Sequence, residues 1–207
     1  MKAAVDLTVT SIESTHSLGE DVRYGVNFEQ GLERFAHEVR SMDPEMRIVQ
    51  ASSDSDLRII SSLARTIWKE HYEPMIQPGE TDYMLDRFQS FESIKEQIGR
   101  GYHYLSMVVR NEVIGYAGYE MRDDGMFLSK LYLLKEYRGN GYASKMISHL
   151  ADVAKSAGAG RITLTVNRNN ENSIQFYKRC GFVVTGEQDF PIGCEFSMDD
   201  YLMEKKV

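Results

Sequence analysis

Tyr-Arg-Gly-Asn-Gly-Tyr-Ala, residues 137–143, joins two runs of different periodicity. The apolar run before it, residues 127–134, is typical of a buried strand, while Met146, Ile147 and Leu150 follow it at helical spacing. A glycine-rich turn between a strand and a helix lets the backbone approach a phosphate, and the N–H groups of the helix's first turn point at it. The guanidinium group of Arg138 adds a positive charge and can donate two parallel hydrogen bonds to phosphate oxygens. The stretch therefore predicts an anion-binding turn.

A second segment lies about thirty residues further on, Asn-Ser-Ile-Gln-Phe-Tyr-Lys-Arg-Cys-Gly-Phe at 172–182. With both segments, the sequence resembles the GNAT superfamily of acetyl-CoA-dependent N-acetyltransferases. Arg138, Gly141 and Ala143 match the pyrophosphate motif Arg/Gln-x-x-Gly-x-Gly/Ala. The second segment is similar to the family's Asn, Tyr and Gly-Phe signature. The resemblance covers roughly residues 47–207.

The resemblance implies acetyl-CoA as co-substrate and direct transfer to a primary amine in a ternary complex. It implies that the strand before the turn splays from its parallel neighbour and pairs with the pantetheine arm. The cofactor-binding residues that it implies are Leu131, Tyr132, Leu133, Arg138, Gly139, Asn140, Gly141, Tyr142, Ala143, Ser144 and Asn172. For Asn172 the residues leave an alternative open, which is a part in the helix start, where Asn169 or Asn170 would serve equally as the cap.

Tyr177 is the predicted catalytic residue. Attack of an amine on the thioester expels a thiolate, and a phenol with a pKa of about 10 is a suitable proton donor at neutral pH. The base is left open: the candidates are Glu120, Glu70, His71, Glu73 and a water chain. Cys180 and Cys194 have no visible His partner, so no acetyl-cysteine intermediate is expected, and they form neither a disulfide framework nor a zinc spacing. No metal site is predicted.

The net charge of −7 is unevenly distributed along the 207 residues. Residues 70–96 carry seven carboxylates against Arg87 and Lys95, net −5. If that segment lines the acceptor site, it would concentrate a small cationic amine. A protein or peptide amine is the alternative. Basic clusters are lacking, so no nucleic acid is expected as a partner.

The segment after the first predicted helix lies where the family places its acceptor loop. Trp68, Tyr72 and Met75 would either bind a cationic amine or seal one end of the core, and both roles are compatible. The pattern also leaves two other function classes to consider. One is a CoA-binding regulatory module without turnover, and the other is a phosphate-binding nucleotide enzyme, for which the turn lacks the required Lys-Ser/Thr.

The periodicity predicts strand, two helices, three strands, helix, strand, helix and two strands. The strands are expected at 46–51, 102–109, 112–119, 126–134, 162–166, 182–185 and 201–204, and the helices at 55–70, 83–98 with a break near Ser90, 140–157 and 170–180. This order indicates an α/β fold whose mixed, mostly antiparallel central sheet is flanked by helices, as the resemblance also implies. Pro191 and Gly193 are expected in a loop between the last two strands.

Residues 1–45 form a predicted N-terminal extension, and residues 46–207 the acetyltransferase domain. Phe28, Leu32, Phe35, Val39 and Met42 make one apolar helical stripe, expected to pack on its own domain or, by preference, on a second subunit, giving a homodimer. Val5 to Ile12 would add an edge strand. No run is long enough to span a membrane and no signal-peptide core is seen, so a cytoplasmic location is expected.

Overall fold

A seven-stranded sheet in the order β1-β2-β3-β4-β5-β7-β6 organises the protein, whose computed structural model describes residues 45–71, 79–193 and 196–207. All neighbouring strands are antiparallel except β4 and β5, which confirms the predicted mixed sheet. The elements are β1 (Arg47–Gln50), α1 (Asp54–His71), α2 (Glu80–Phe88), α3 (Phe91–Gly99), β2 (Tyr102–Val109), β3 (Glu112–Arg122), β4 (Gly125–Leu133), a 3-10 turn (Lys135–Tyr137), α4 (Tyr142–Ser156), β5 (Arg161–Asn167), α5 (Glu171–Arg179), β6 (Val183–Gly193) and β7 (Phe196–Lys206).

The turn chemistry of the sequence produces the predicted breaks. Arg110 and Asn111 both have positive φ, 49° and 65°, as the two central residues of a type I′ hairpin turn require. Ser90 separates α2 from α3, because its Oγ accepts a hydrogen bond from the N–H of Ser93 at 3.2 Å and caps the second helix.

The last hairpin is longer than predicted. The sequence predicted strands at 182–185 and 201–204 around a loop, whereas β6 runs through Pro191 to Gly193 and pairs with β7 along its length. Pro191 is tolerated because β6 is the outermost strand, so a missing N–H can face away from the ladder. The predicted loop was therefore wrong, and a register shift between Pro191 and Gly193 absorbs the irregularity.

Two apolar cores lie on the two faces of the sheet. The α4-side core packs sheet residues such as Leu128 and Leu164 against Met146, Leu150 and Ile174 of α4 and α5. The α1-side core packs the opposite face against α1, α2 and α3. Side chains that are adjacent along a regular strand therefore pack in different cores.

A β-bulge at Ser129 changes which face the side chains of β4 take. Across the β3–β4 ladder Gly118 pairs with Lys130 and Tyr119 with Leu128, so Ser129 is the extra residue. Leu128 and Leu131 consequently both pack in the α4-side core. Lys130 lies on the α1 side of the sheet.

The predicted stripe at 28–42 and strand at 5–12 lie outside the described residues, as do Tyr72, Glu73, Met75 and Cys194. The domain boundary near residue 45 and the homodimer stay predictions. Of the helices in the described ranges, none combines the length and apolar character that crossing a membrane requires.

Candidate active site

The parallel strands β4 and β5 part soon after they begin. Their register consists of Met126 with Ile162 and Phe127 with Thr163, whereas β5 pairs with β7 over its whole length. From Leu128 onward, the β5-facing edge of β4 borders a cavity of about 1180 Å³. Thr165, Val166 and Asn167 of β5 line the same cavity. The structure therefore has the splay that the resemblance implied, and it offers unused strand edges to a ligand.

The glycine-rich turn closes one end of this cavity. Gly139 and Gly141 have φ of 82° and 78°, and a Cβ on either would meet no atom within 4 Å. The first intrahelical bond of α4 runs from the Lys145 N–H to the Gly141 carbonyl at 3.0 Å, so the helix ladder does not use the amides of Ala143 and Ser144. Open space above these amides suits an anionic ligand.

The predicted site residues are brought together at this cavity, with one exception. Those that line it are Leu131, Tyr132, Leu133, Arg138, Gly139, Gly141, Tyr142, Ala143, Ser144, Asn172 and Tyr177. Asn140 does not line it: its amide nitrogen approaches the carbonyl oxygens of Tyr137 and Arg138 at 3.3 and 3.4 Å. Arg138 is fastened to the end of β4, because its Nε donates to the Leu133 carbonyl at 3.0 Å.

The start of α5 distinguishes its asparagines. Asn170 is the N-cap, since its Oδ1 accepts from the Ser173 N–H at 3.2 Å. Asn169 makes a backbone contact instead, from its N–H to Oδ1 of Asn167 at 2.9 Å. Asn172 therefore does not cap the helix, and its exposed side chain lies at the cavity.

Tyr177 is held by two phenylalanine rings. Its ring centroid lies 5.2 Å from that of Phe176 and 5.5 Å from that of Phe182, the latter edge-on. Phe182 is buried in the α4-side core, while Phe176 is partly buried and also lines the cavity. The packing fixes the Tyr177 ring at the cavity wall.

Among the predicted bases, the structure favours none strongly. Glu70 pairs with Lys135 at 3.2 Å, Glu120 bonds to Tyr102 and Arg122, and neither lines the cavity. His71 does line it, and burial followed by the positive charge of Arg138 lowers its pKa. However, its Nε2 lies 3.3 Å from Nδ2 of Asn170, whose Oδ1 is already the helix cap. The Asn170 amide then donates to Nε2, which occupies the lone pair that a base needs.

Asp200 is a carboxylate that the sequence did not single out. It lies on β7 opposite Asn167, is only 5% exposed and lines the cavity. Burial raises the pKa of Asp200, against the opposing effect of a hydrogen bond with Thr165. Its neighbour Asp199 pairs instead with Arg168. Adjacent side chains of a strand point to opposite faces of the sheet, so only one of the two aspartates can face the cavity. The sequence does not distinguish them unless both are recognised as part of a strand.

Lys130 is the second charged residue that was missed. It is 6% exposed and lines the cavity, and burial lowers its pKa to about 8. Its Nζ donates to Oε1 of Gln97 at 2.7 Å and lies 5.4 Å from the centroid of the Tyr102 ring. Gln97 Oε1 also accepts from the Tyr104 hydroxyl at 2.8 Å.

Over the described ranges, the cavity lining is not predominantly acidic, in contrast to what the charge of residues 70–96 suggested. Asp82 pairs with Arg65 and Lys69, and Asp86 pairs with Arg65, away from the cavity. The described charged residues that line it are Glu80, Glu96 and Asp200 against Arg87, Arg100, Lys130, Arg138 and Arg179. The described part of the lining therefore gives no electrostatic reason to expect a cationic acceptor, and the cationic acceptor stays a prediction.

Trp68 and Cys180 have different relations to the cavity. Trp68 is 5% exposed, packs in the α1-side core and lines the cavity, so both of its predicted roles are compatible with its position. Cys180 lies outside this lining, at a separate smaller cavity beside α4, and burial raises the pKa of its thiol.

Comparison with known proteins gives the class of protein that this fold and cavity represent. Residues 63–182 match the acetyltransferase (GNAT) family. The chain belongs to this family, which confirms the resemblance seen in the sequence. The fold is that of PaiA N-acetyltransferase from Thermoplasma acidophilum, solved with coenzyme A, at a TM-score of 0.68 and 23% identity over 79% of this chain and 99% of that one.

Curated relatives match over shorter segments. An uncharacterized N-acetyltransferase of Mycobacterium tuberculosis is 35% identical over 96 residues, 46% of this chain and 61% of the relative. N-alpha-acetyltransferase 30 of Schizosaccharomyces pombe is 41% identical over 56 residues, 27% of this chain and 37% of the relative. The chain thus spans less than two thirds of the length of these relatives.

Proposed function

We propose that the protein transfers an acetyl group from acetyl-CoA to a small primary amine by direct attack in a ternary complex. The observation that carries the proposal is a single cavity bordered by the splayed edge of β4, the N-terminus of α4 and Tyr177. At about 1180 Å³ the cavity exceeds the roughly 300–1,000 Å³ of ordinary small-molecule sites, as two substrates bound side by side would need.

The residues around the splay and the turn would hold acetyl-CoA, which supplies an activated thioester. Leu131, Tyr132 and Leu133 would pair with the pantetheine arm through their backbone, since no β5 ladder continues beside them. The amides of residues 139–144 and Arg138 would hold the pyrophosphate. Asn172 would contact the arm. PaiA from Thermoplasma acidophilum, with the same fold, was solved in complex with coenzyme A.

Two side chains would manage the protons. Tyr177 would donate its hydroxyl proton to the departing thiolate as the amine attacks the carbonyl carbon and the C–S bond breaks. Asp200 would accept a proton from the incoming ammonium, because it is a buried carboxylate in the same cavity with a raised pKa, which makes it a stronger base than an ordinary aspartate. His71, the other predicted base within the described lining, is less suited to this role because its Nε2 accepts a hydrogen bond from the Asn170 amide.

The acceptor is proposed to be a small primary amine. A cationic small molecule was expected from the sequence, but of the carboxylates behind that expectation Asp82 and Asp86 pair with Arg65 and Lys69 outside the cavity, and Glu80 and Glu96 share its lining with five basic residues. A protein or peptide amine is the alternative, in line with the Schizosaccharomyces pombe relative, which is named an N-alpha-acetyltransferase. A homodimer and a cytoplasmic location complete the proposal.

Thiol release from acetyl-CoA tests the proposal. Polyamines, amino acids, amino sugars and peptides with free N-termini are each added to the protein, and release is followed with a thiol reagent while calorimetry measures CoA binding. We expect CoA binding and amine-dependent release, with small amines preferred over peptides. CoA binding without release by any amine would identify a non-catalytic CoA-binding module instead, and the absence of CoA binding would overturn the proposal.

A further inference from the structure

We infer that the acceptor carries a carboxylate next to its amine, and that Lys130 is the residue that recognises it. This rests on the proposed function, because it assigns the second substrate of the same cavity. Lys130 projects from β4 on the α1 side of the sheet and lines the cavity together with Gln97 and Tyr102.

Burial of the Lys130 ammonium group is costly. A buried cation is unfavourable unless a carboxylate or a ligand compensates it. Within the described residues no carboxylate oxygen lies within 4.0 Å of Lys130 Nζ. Glu120, the acidic group that acts on it electrostatically, bonds to Tyr102 and Arg122. A negative charge supplied from the cavity would complete the environment of Lys130.

Lys130 does not use all of its hydrogen-bond donors on the neutral oxygens around it. An ammonium group has three donors. One goes to Oε1 of Gln97 at 2.7 Å, and a longer contact of 3.3 Å reaches Oγ of Ser129. Gln97 is itself fixed, since its Nε2 donates to the Phe88 carbonyl at 3.1 Å. The neutral oxygens therefore hold the ammonium in place and leave donor capacity for a ligand.

Lys130 and Asp200 lie on the same face of the sheet. Leu131 of β4 and Met203 of β7 both pack in the α4-side core. Because side chains alternate along a strand, Lys130 and Asp200 both lie on the other face, on strands separated by β5. A positive and a negative group on one face of one cavity match an acceptor that presents an ammonium and a carboxylate.

A matched pair of acceptors isolates the carboxylate. Glycine, β-alanine and other amino carboxylates are compared with their carboxamides, glycinamide and β-alaninamide among them, using the same thiol-release assay. We expect the wild-type protein to favour the carboxylate of each pair at least about tenfold in kcat/KM, the size of one hydrogen bond to a charged group. Lys130→Met should reduce this preference to less than about threefold, mainly through a higher KM for the carboxylates.

Lys95→Met is the control, because Lys95 pairs with Asp54 on the exposed surface of α3 and does not line the cavity. It should keep the wild-type preference. Equal use of carboxylates and carboxamides by the wild type, or an unchanged preference in Lys130→Met, would overturn the inference while leaving acetyl transfer intact. Calorimetry with the same pairs in the presence of CoA gives the same comparison without turnover. If no amine reacts and the amino carboxylates still bind through Lys130, acetyl transfer fails as the proposed function, while Lys130 is retained as the site that binds an amino carboxylate.

Discussion

Gly141 and Gly158 flank α4 with nearly the same left-handed backbone, φ 78° before the helix and 76° after it. A Cβ on either would meet no atom within 4 Å. Only Gly141 lines the cavity. The two glycines therefore share one conformational strain upon substitution and differ in their position relative to the proposed pyrophosphate site.

This difference gives a controlled test of the proposed pyrophosphate cradle, formed by Arg138 and the amides of residues 139–144. Gly141→Val should raise the Kd for CoA at least about tenfold by calorimetry, because the side chain fills the space that a phosphate would take. Gly158→Val should leave the Kd for CoA unchanged. It should lower the melting temperature about as much as Gly141→Val does, since an L side chain is strained at this φ in both positions. Equal Kd values in the two variants would remove the turn from the CoA site.

Tyr177 can be compared with a tyrosine outside the cavity. Tyr177→Phe should lower kcat by about ten- to a thousandfold, in the range of general-acid contributions, with the Kd for CoA nearly unchanged. Tyr137→Phe removes a hydroxyl that bonds to Glu112 at 2.8 Å outside the cavity, so it should keep full kcat. Full activity of Tyr177→Phe in steady-state kinetics would assign the proton to another group.

Asp200 and Asp199 form a second matched pair. Asp200→Asn should lower kcat by about a hundredfold or more, because the amide cannot accept the proton. The melting temperature at pH 7 should stay the same or rise, since burying the charged form is unfavourable, as the raised pKa of Asp200 indicates. Asp199→Asn should keep kcat, because Asp199 pairs with Arg168. A fully active Asp200→Asn variant would return the role of base to His71 or to water.

The lowered pKa of Lys130 gives a prediction for stability against pH. Between about pH 8 and pH 10.5 the unfolded chain holds a proton at this lysine that the folded protein has lost. The free energy of unfolding therefore increases as the pH rises through this range. Below pH 8 the folded protein bears the full cost of the buried charge, about 3 kcal/mol from the size of the shift.

Lys130→Met should therefore be stabilised relative to the wild type most at pH 7, and this advantage should shrink as the pH approaches 10.5. Denaturant titrations of both proteins at pH 7 and pH 10 measure it, with Lys95→Met as the surface control. An advantage that is the same at both pH values would mean that Lys130 has an ordinary pKa.

Much of the proposed pyrophosphate cradle could be predicted from the sequence, because the features that form it are close together in the chain. A strand, two glycines and a helix follow one another within about twenty residues, and their periodicities differ. Lys130 and Asp200 could not be predicted, because their burial depends on strand positions. The bulge at Ser129 places Lys130 on the α1 side, and no residue type in the run marks that bulge. Asp200 was hidden because β7 was expected to start at Tyr201.

The short register between β4 and β5 also has a mechanical consequence. Four strands, β1 to β4, lie on one side of that seam and three strands on the other, and two residue pairs join them. Regions with few shared hydrogen bonds open as separate units in hydrogen exchange. A ligand lying along the seam would contact both half-sheets, β1 to β4 and β5 to β7, and stabilise their association. The amides of both half-sheets should then exchange more slowly in concert when CoA is bound, including those far from any atom it touches.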